Sequence, residues 1–255
     1  MKSLNDVTSQ EMNMFDMISA MNSIFGNPTL DISTEHKFNL AKPKLVNQTK
    51  NIKDEIEELE EAYQNNDYVE MVDAMGDILT FAVGLDHFLG GMLDTSSFSY
   101  VKDDFNLQPS INIISESYDV IIDDIENTNF NNIGVFVQRI ASEMYRLMYF
   151  TIAFVYDSVD NESLDFIEVL REVTSSNISK VCVTDEDMHD TVNYYSDIGV
   201  ETYTLEMAHD GLEYYVVYSS KEQFDVNGKV YRRDKFLKSY NGFFEPNLEK
   251  FVSSN

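Results

Sequence analysis

Apolar residues recur every three or four positions along most of this chain, and polar breaks cut the recurrence into segments. Met12, Phe15, Met17, Ile18, Met21 and Phe25 predict a helix over about 7–25, stopped by Gly26-Asn27-Pro28. Residues 27–47, with Pro43, read as a long loop. A helix is then expected from about 45 or 48 to 63, a turn at Gln64-Asn65-Asn66-Asp67, and a second helix over 68–89 ended by Gly90-Gly91. Residues 92–110 are polar and irregular, with Pro109. Helical spacing returns over 111–126 and 133–156, around Asn127-Thr128-Asn129. This pair repeats the outline of the first, so 92–160 reads as a helical insertion or a degenerate second helix pair. Two such pairs would form a four-helix bundle within one chain.

The character changes towards the C-terminus. Helices are expected over 162–175 and 186–198, the latter ended by Gly199. Residues 200–206 and 212–218 alternate like a β-hairpin around His209-Asp210-Gly211, and Asn227-Gly228 marks a further turn. The predicted fold is mainly α. A helical bundle occupies 1–180, and a small α/β extension containing a β-hairpin occupies 181–255 and contributes to the site.

The first helix pair carries the candidate chemistry. On a wheel of about 100° per residue, Ile52, Ile56, Leu59 and Tyr63 make the core stripe of its first helix. Glu57, Glu60 and Glu61 fall on the solvent side, while Glu55 and Glu58 fall on the flank of the stripe, with Ala62 beyond them. The second helix is apolar around most of its circumference, the signature of a buried helix. Yet Glu70, Asp73 and Asp77 share one narrow stripe that continues through Thr80 to Gly84. Buried carboxylates are costly unless paired or bound to a cation, and no Lys or Arg lies between Lys53 and Lys102. Oxygen donors without His or Cys favour a hard ion, Mg²⁺ or Mn²⁺. The plainer alternative is an ordinary amphipathic hairpin in an acidic protein. It is the better reading of Glu57, Glu60 and Glu61, and Glu70 sits where a helix N-terminus favours an acid in any case.

Charge narrows the partners. The chain has 255 residues, with 45 Asp and Glu against 18 Lys and Arg, a net charge of −27. It should repel nucleic acid and anionic membranes alike. A small phosphorylated ligand is compatible only where metal ions or a local basic cluster invert the field. Such a cluster exists at Lys229, Arg232, Arg233, Lys235 and Lys238. Lone Cys182 rules out an intrachain disulfide, suits a reducing cytoplasm, and reads as a small buried hydrophobe. The first 15 residues contain no continuous apolar run of the secretory type. The four histidines have neither triad nor metal spacing; His87 reads as a packing residue. No glycine-rich phosphate loop is present.

These residues resemble the all-α nucleoside triphosphate pyrophosphohydrolase superfamily, which includes MazG-like enzymes, phosphoribosyl-ATP pyrophosphohydrolases and dimeric dUTPases. Asp54-Glu55-Ile56-Glu57-Glu58-Leu59 is similar to the family's E-E-x-x-E-L, with Asp54 for the first Glu. Asp73-Ala74-Met75-Gly76-Asp77 resembles the D-A-x-x-D variant of its second acidic motif. The strict E-x-x-D form would place Glu at Ala74; Asp73, or Glu70 with Asp73, stands in its stead. Glu172-Val173-Thr174-Ser175-Ser176-Asn177-Ile178-Ser179-Lys180 resembles the E-V-H-x-S-N-x-S-K segment of phage MazG-like proteins, with Thr174 for His. Lys235-Phe236-Leu237-Lys238, followed by Pro246, resembles their ending.

The resemblance implies Mg²⁺- or Mn²⁺-dependent hydrolysis of a nucleoside triphosphate between its α and β phosphates, in control of a nucleotide pool. It assigns metals to Glu55, Glu58, Asp73 and Asp77, and the general base to one of these or Glu70. Asn177, Lys180 and Lys238 would contact phosphates or base. Phe81 could stack a base, although core packing is its plainer reading. A homodimer or homotetramer is expected by analogy, in the cytoplasm, or in the host's cytoplasm if the chain is phage-encoded. A non-catalytic nucleotide-binding protein on the same fold is the rival reading, and a helical scaffold without ligand is a third.

Overall fold

The computed structural model describes residues 13–93, 107–128, 133–158, 165–209 and 211–252. Their elements are helices α1 (Met14–Ile24), α2 (Glu35–Asn65), α3 (Tyr68–Leu89), α4 (Leu107–Asn127), α5 (Ile133–Ser158), α6 (Phe166–Ile178) and α7 (Asp185–Asp197). Strands β1 (Thr202–His209), β2 (Leu212–Ser219), β3 (Gln223–Phe224) and β4 (Val230–Tyr231) follow, then a short α8 (Glu249–Val252). The chain forms two compact units, 13–19 with 28–173 and 247–255, and 20–27 with 174–246, so that the divisions fall inside α1 and α6.

The larger unit is built on four long helices. α2 packs against α3 and α4, and α5 packs against α3 and α4, so each helix has two neighbours. The second helix pair is thus part of the bundle. α2 is the main correction to the sequence reading, for 35–47 is helix and not loop. Thr34 caps it, its hydroxyl accepting from Lys37 N–H at 3.3 Å. Pro43 lies inside, where proline costs about 3 kcal/mol. Phe38, Ala41, Leu45, Thr49, Ile52, Ile56, Leu59 and Ala62 nevertheless make one unbroken buried stripe, and its burial outweighs that cost. α4 likewise starts earlier than expected, at Leu107. Pro109 falls in its first turn, where no intrahelical N–H is required. The predicted helix over 7–12 and most of the 92–110 segment lie outside the described residues.

In the smaller unit, β1 and β2 form the expected antiparallel hairpin, in register from Thr202 opposite Ser219 to His209 opposite Leu212. Gly211 supplies the positive φ of the two-residue connection. A second small hairpin pairs Phe224 with Val230. α7 covers the sheet, closing a core of Cys182, Tyr195, Val200, Val217, Tyr231 and Leu237. The end of α1 joins this unit through Tyr214 and Tyr218, whose hydroxyls donate to the carbonyls of Ile24 at 2.7 Å and Phe25 at 3.1 Å. Cys182 is buried as expected, and that burial pushes its thiol up to about 11, so the thiolate is absent at neutral pH.

Candidate functional site

The acidic hairpin closes through two caps. Asn66 ends α2 in the left-handed conformation at φ 54°, and Asp67 N–H bonds to Ala62 O at 2.9 Å. The Asp67 side chain then caps α3 by accepting from Glu70 N–H at 3.2 Å. At the other end, Gln48 Nε2 donates to Phe81 O at 2.9 Å. The Ala62–Asp67 and Gln48–Phe81 contacts are equally spaced along both helices, so α2 and α3 run in step between them. Glu55 stands midway on α2, and Ala74 stands midway on α3.

Glu55 is therefore level with the turn that carries Asp73 and Asp77. It shares the α3-facing flank with Gln48, since seven residues return a helix to within about 20° of the same direction. On α3, Glu70 and Asp77 lie within about 60° of Ala74 around the helix, and Asp73 about 100° away. Glu55, Asp73 and Asp77 are each half-buried at the edge of the apolar stripe. Glu58, level with Met71 and expected beside Glu55, is exposed instead, as are Glu57, Glu61 and Glu70. Glu57 pairs with Lys53 at 3.6 Å, so the nearest preceding lysine does supply a local counter-charge, though on the solvent side. Asp54 and Glu57 look towards α4. Burial, then the charges of Asp119, Glu126, Asp54 and Glu57, push the Tyr118 phenol up.

Among the described residues, no three His, Cys, Asp or Glu side chains are gathered into a group able to hold a metal ion. The acids share a level and a donor chemistry without converging. Glu55, Asp73 and Asp77 offer the oxygen donors that a hard divalent cation prefers. Ala74, where the strict motif has Glu, is buried.

Close packing sets the other edge of the acidic seam. Gly76, between Asp73 and Asp77, is buried against Val173 of α6. The seam ends at Thr80, whose buried hydroxyl has no hydrogen-bond partner among the described residues. Phe81 is half-buried, with its carbonyl held by Gln48.

The remaining predicted binding residues belong to the smaller unit. Asn177 and Lys180 lie near the end of α6, and the Lys180 ammonium donates to Asn177 Oδ1. Ser239 N–H donates to Lys180 O at 3.0 Å, which sets Lys238 next to that pair in the fold. The Lys238 ammonium lies 4.0 Å from the Phe243 ring centre and 3.0 Å from Glu245. The downstream motifs, 58 residues apart between Lys180 and Lys238, thus meet in one place. Thr174, at the position of the resemblance's His, is fully buried, and its hydroxyl also lacks a partner among the described residues. Sequence reasoning missed Asp187, which holds this segment, and the return of the C-terminus to α6. There Glu172 accepts from Asn247 N–H at 2.9 Å and from Lys250 Nζ at 2.6 Å.

Comparisons with known proteins agree with this hairpin. Residues 18–90 match the family model of phosphoribosyl-ATP pyrophosphohydrolase. A protein of Acanthamoeba polyphaga mimivirus, described as uncharacterized, is 29% identical over 244 residues, covering 89% of this chain and 96% of that one. Likeness to this viral relative therefore extends well beyond the matched segment. No solved structure matches the chain. No described helix is long and apolar enough to cross a membrane. Residues 18–90, which carry the acidic hairpin of α2 and α3, are thus similar to the phosphoribosyl-ATP pyrophosphohydrolases of the all-α, MazG-like superfamily.

Proposed function

We propose that the protein hydrolyses a nucleoside or deoxynucleoside triphosphate between the α and β phosphates, giving a monophosphate and pyrophosphate in control of a nucleotide pool. The observation that carries this is the register of the hairpin, which sets half-buried Glu55 level with Asp73 and Asp77. Glu55, Asp73 and Asp77, with Glu58 from the exposed side, would hold Mg²⁺ or Mn²⁺. When bound, the ion neutralises phosphate oxygens and acidifies a water. One of these carboxylates, Glu55 or Glu58, or else the exposed Glu70, would take a proton from that water. The half-buried Phe81 ring offers a face to a base. In the smaller unit, Asn177, Lys180 and Lys238 form a group suited to nucleotide phosphates.

The test is pyrophosphate release with Mg²⁺ from a panel of ribo- and deoxynucleotides, against the Glu55→Gln and Asp77→Asn variants. Release of orthophosphate alone, or release undiminished in both variants, would sink the reading. A second reading, nucleotide binding without turnover, is favoured by buried Ala74 at the motif's Glu position. It predicts a nucleotide-dependent rise in melting temperature with no product.

A further inference from the structure

We infer that Asp187 is the positioning residue of a nucleotide-recognition loop, residues 238–244, which it holds so that Lys238 and Lys180 stand together. The inference rests on the proposal that these lysines bind nucleotide phosphates.

Asp187 is a buried acid on α7, and burying a carboxylate is costly unless its oxygens are filled. They are filled almost entirely from this one loop. Ser239 Oγ lies 2.8 Å from Oδ1 and 2.7 Å from Oδ2, Asn241 N–H donates at 3.2 Å, and Thr191 Oγ1 lies at 3.4 Å. The same hydroxyls then act again on the loop: Ser239 Oγ accepts from Gly242 N–H at 2.7 Å, and Thr191 Oγ1 accepts from Tyr240 N–H at 2.9 Å. A side chain at Gly242 would meet Ser239 Oγ at 2.8 Å, so any larger residue there would displace the Ser239 hydroxyl.

The far end of the loop is tied to α6. Ser176 Oγ donates to Phe244 O at 2.9 Å, and Phe244 N–H donates to Ser179 Oγ at 3.1 Å. Ser176, Asn177, Ser179 and Lys180 come from one short stretch, so the loop is sewn along the helix end that carries Asn177 and Lys180. A core needs no such fixation of an exposed loop, and Lys238, Tyr240 and Phe244 all remain exposed upon it. A network of this kind holds side chains in a fixed geometry, as recognition of a phosphorylated ligand requires.

Asp187→Asn keeps the shape but supplies donors where Ser239 and Asn241 also donate. Ser239→Ala removes the shared hydroxyl. Both are measured in the full chain for melting temperature and for the dissociation constant of a non-hydrolysable nucleoside triphosphate analogue. KM and kcat are measured where turnover occurs. Val200→Ala, a core truncation that removes none of the loop's hydrogen bonds, is the control for lost stability. A tenfold or greater weakening of analogue binding in both variants, kcat within twofold, and normal binding by Val200→Ala support the inference. Analogue binding by Asp187→Asn and Ser239→Ala that matches the unaltered protein, or weakening equalled by Val200→Ala, overturns it alone. Failure of the unaltered protein to bind any nucleotide overturns both the inference and the function it rests on.

Discussion

A Cβ added at Gly76 would lie 2.8 Å from Val173 Cγ2, inside contact distance, in the turn of α3 between Asp73 and Asp77. Val173 is fully buried and β-branched, so it has little room to yield. Gly76→Ala gains up to about 1 kcal/mol of helix propensity but suffers overpacking of about 1–3 kcal/mol. A lower melting temperature is expected, largely restored in the double variant Gly76→Ala/Val173→Ala. A rise in the single variant would refute the close packing.

Asp86 near the end of α3 is buried, and its Oδ1 accepts from Met92 N–H at 2.8 Å and Leu93 N–H at 3.2 Å. Burial raises its pKa in spite of these bonds. The folded state therefore prefers the protonated acid. That contribution is full below the ordinary value of 3.8 and is lost as pH rises through the higher folded value. Asp86→Asn keeps the acceptor and removes the penalty. It should melt higher at pH 7 and show no advantage at pH 3, as read by thermal scans at both.

Glu172 runs the opposite way. Burial acts to raise its pKa, but the Lys250 hydrogen bond, the Asn247 N–H and the Lys250 charge prevail and hold it below 4.5. Its contribution is present above 4.5 and is lost as pH falls through the lower folded value. Lys250→Met should therefore flatten the acid limb of the stability curve. Hydrogen exchange at Phe251, whose N–H bonds to Leu248 O, should quicken in that variant at neutral pH.

Thr174 buries a hydroxyl without a partner among the described residues. Thr174→Val replaces it with a methyl of the same shape and should stabilise the protein by about 1 kcal/mol in denaturant unfolding. Loss of stability would reveal a hydrogen bond at that hydroxyl.

The metal reading predicts a rise in melting temperature with Mg²⁺ that is lost in Glu55→Gln and Asp77→Asn, together with at least a hundredfold of pyrophosphate release. Glu61→Gln, an exposed acid of the same helix, should change neither. An equal metal response in all three variants would place the ion elsewhere.

Much of this was legible in residue order. The turn at 64–67, the bounds of α3 and the register of β1 with β2 follow from caps, glycines and alternation, which act over a few residues. The start of α2 was not legible. Pro43 is a strong local signal for a break, and only the distant packing of Phe38, Ala41 and Leu45 overrules it. For the same reason, Glu55 and Glu58 looked alike on a wheel, yet one is half-buried and the other exposed. A wheel shows direction, not the neighbouring helix. Asp187 gave no signal at all, because the loop it holds, through Ser239 and Asn241, lies more than 50 residues away in the chain.

The four-helix arrangement has a consequence for how the acidic hairpin can change. α2 and α3 meet α4 and α5, a pair of different sequence supplied by the same chain. Where a bundle is made from two identical hairpins, every substitution appears twice, and a tolerable change on the acidic face must also be tolerable in its mirror position. Here each appears once. α4 and α5 are free to specialise as a supporting wall, and a change on the acidic face of α2 and α3 has no second copy within the same bundle.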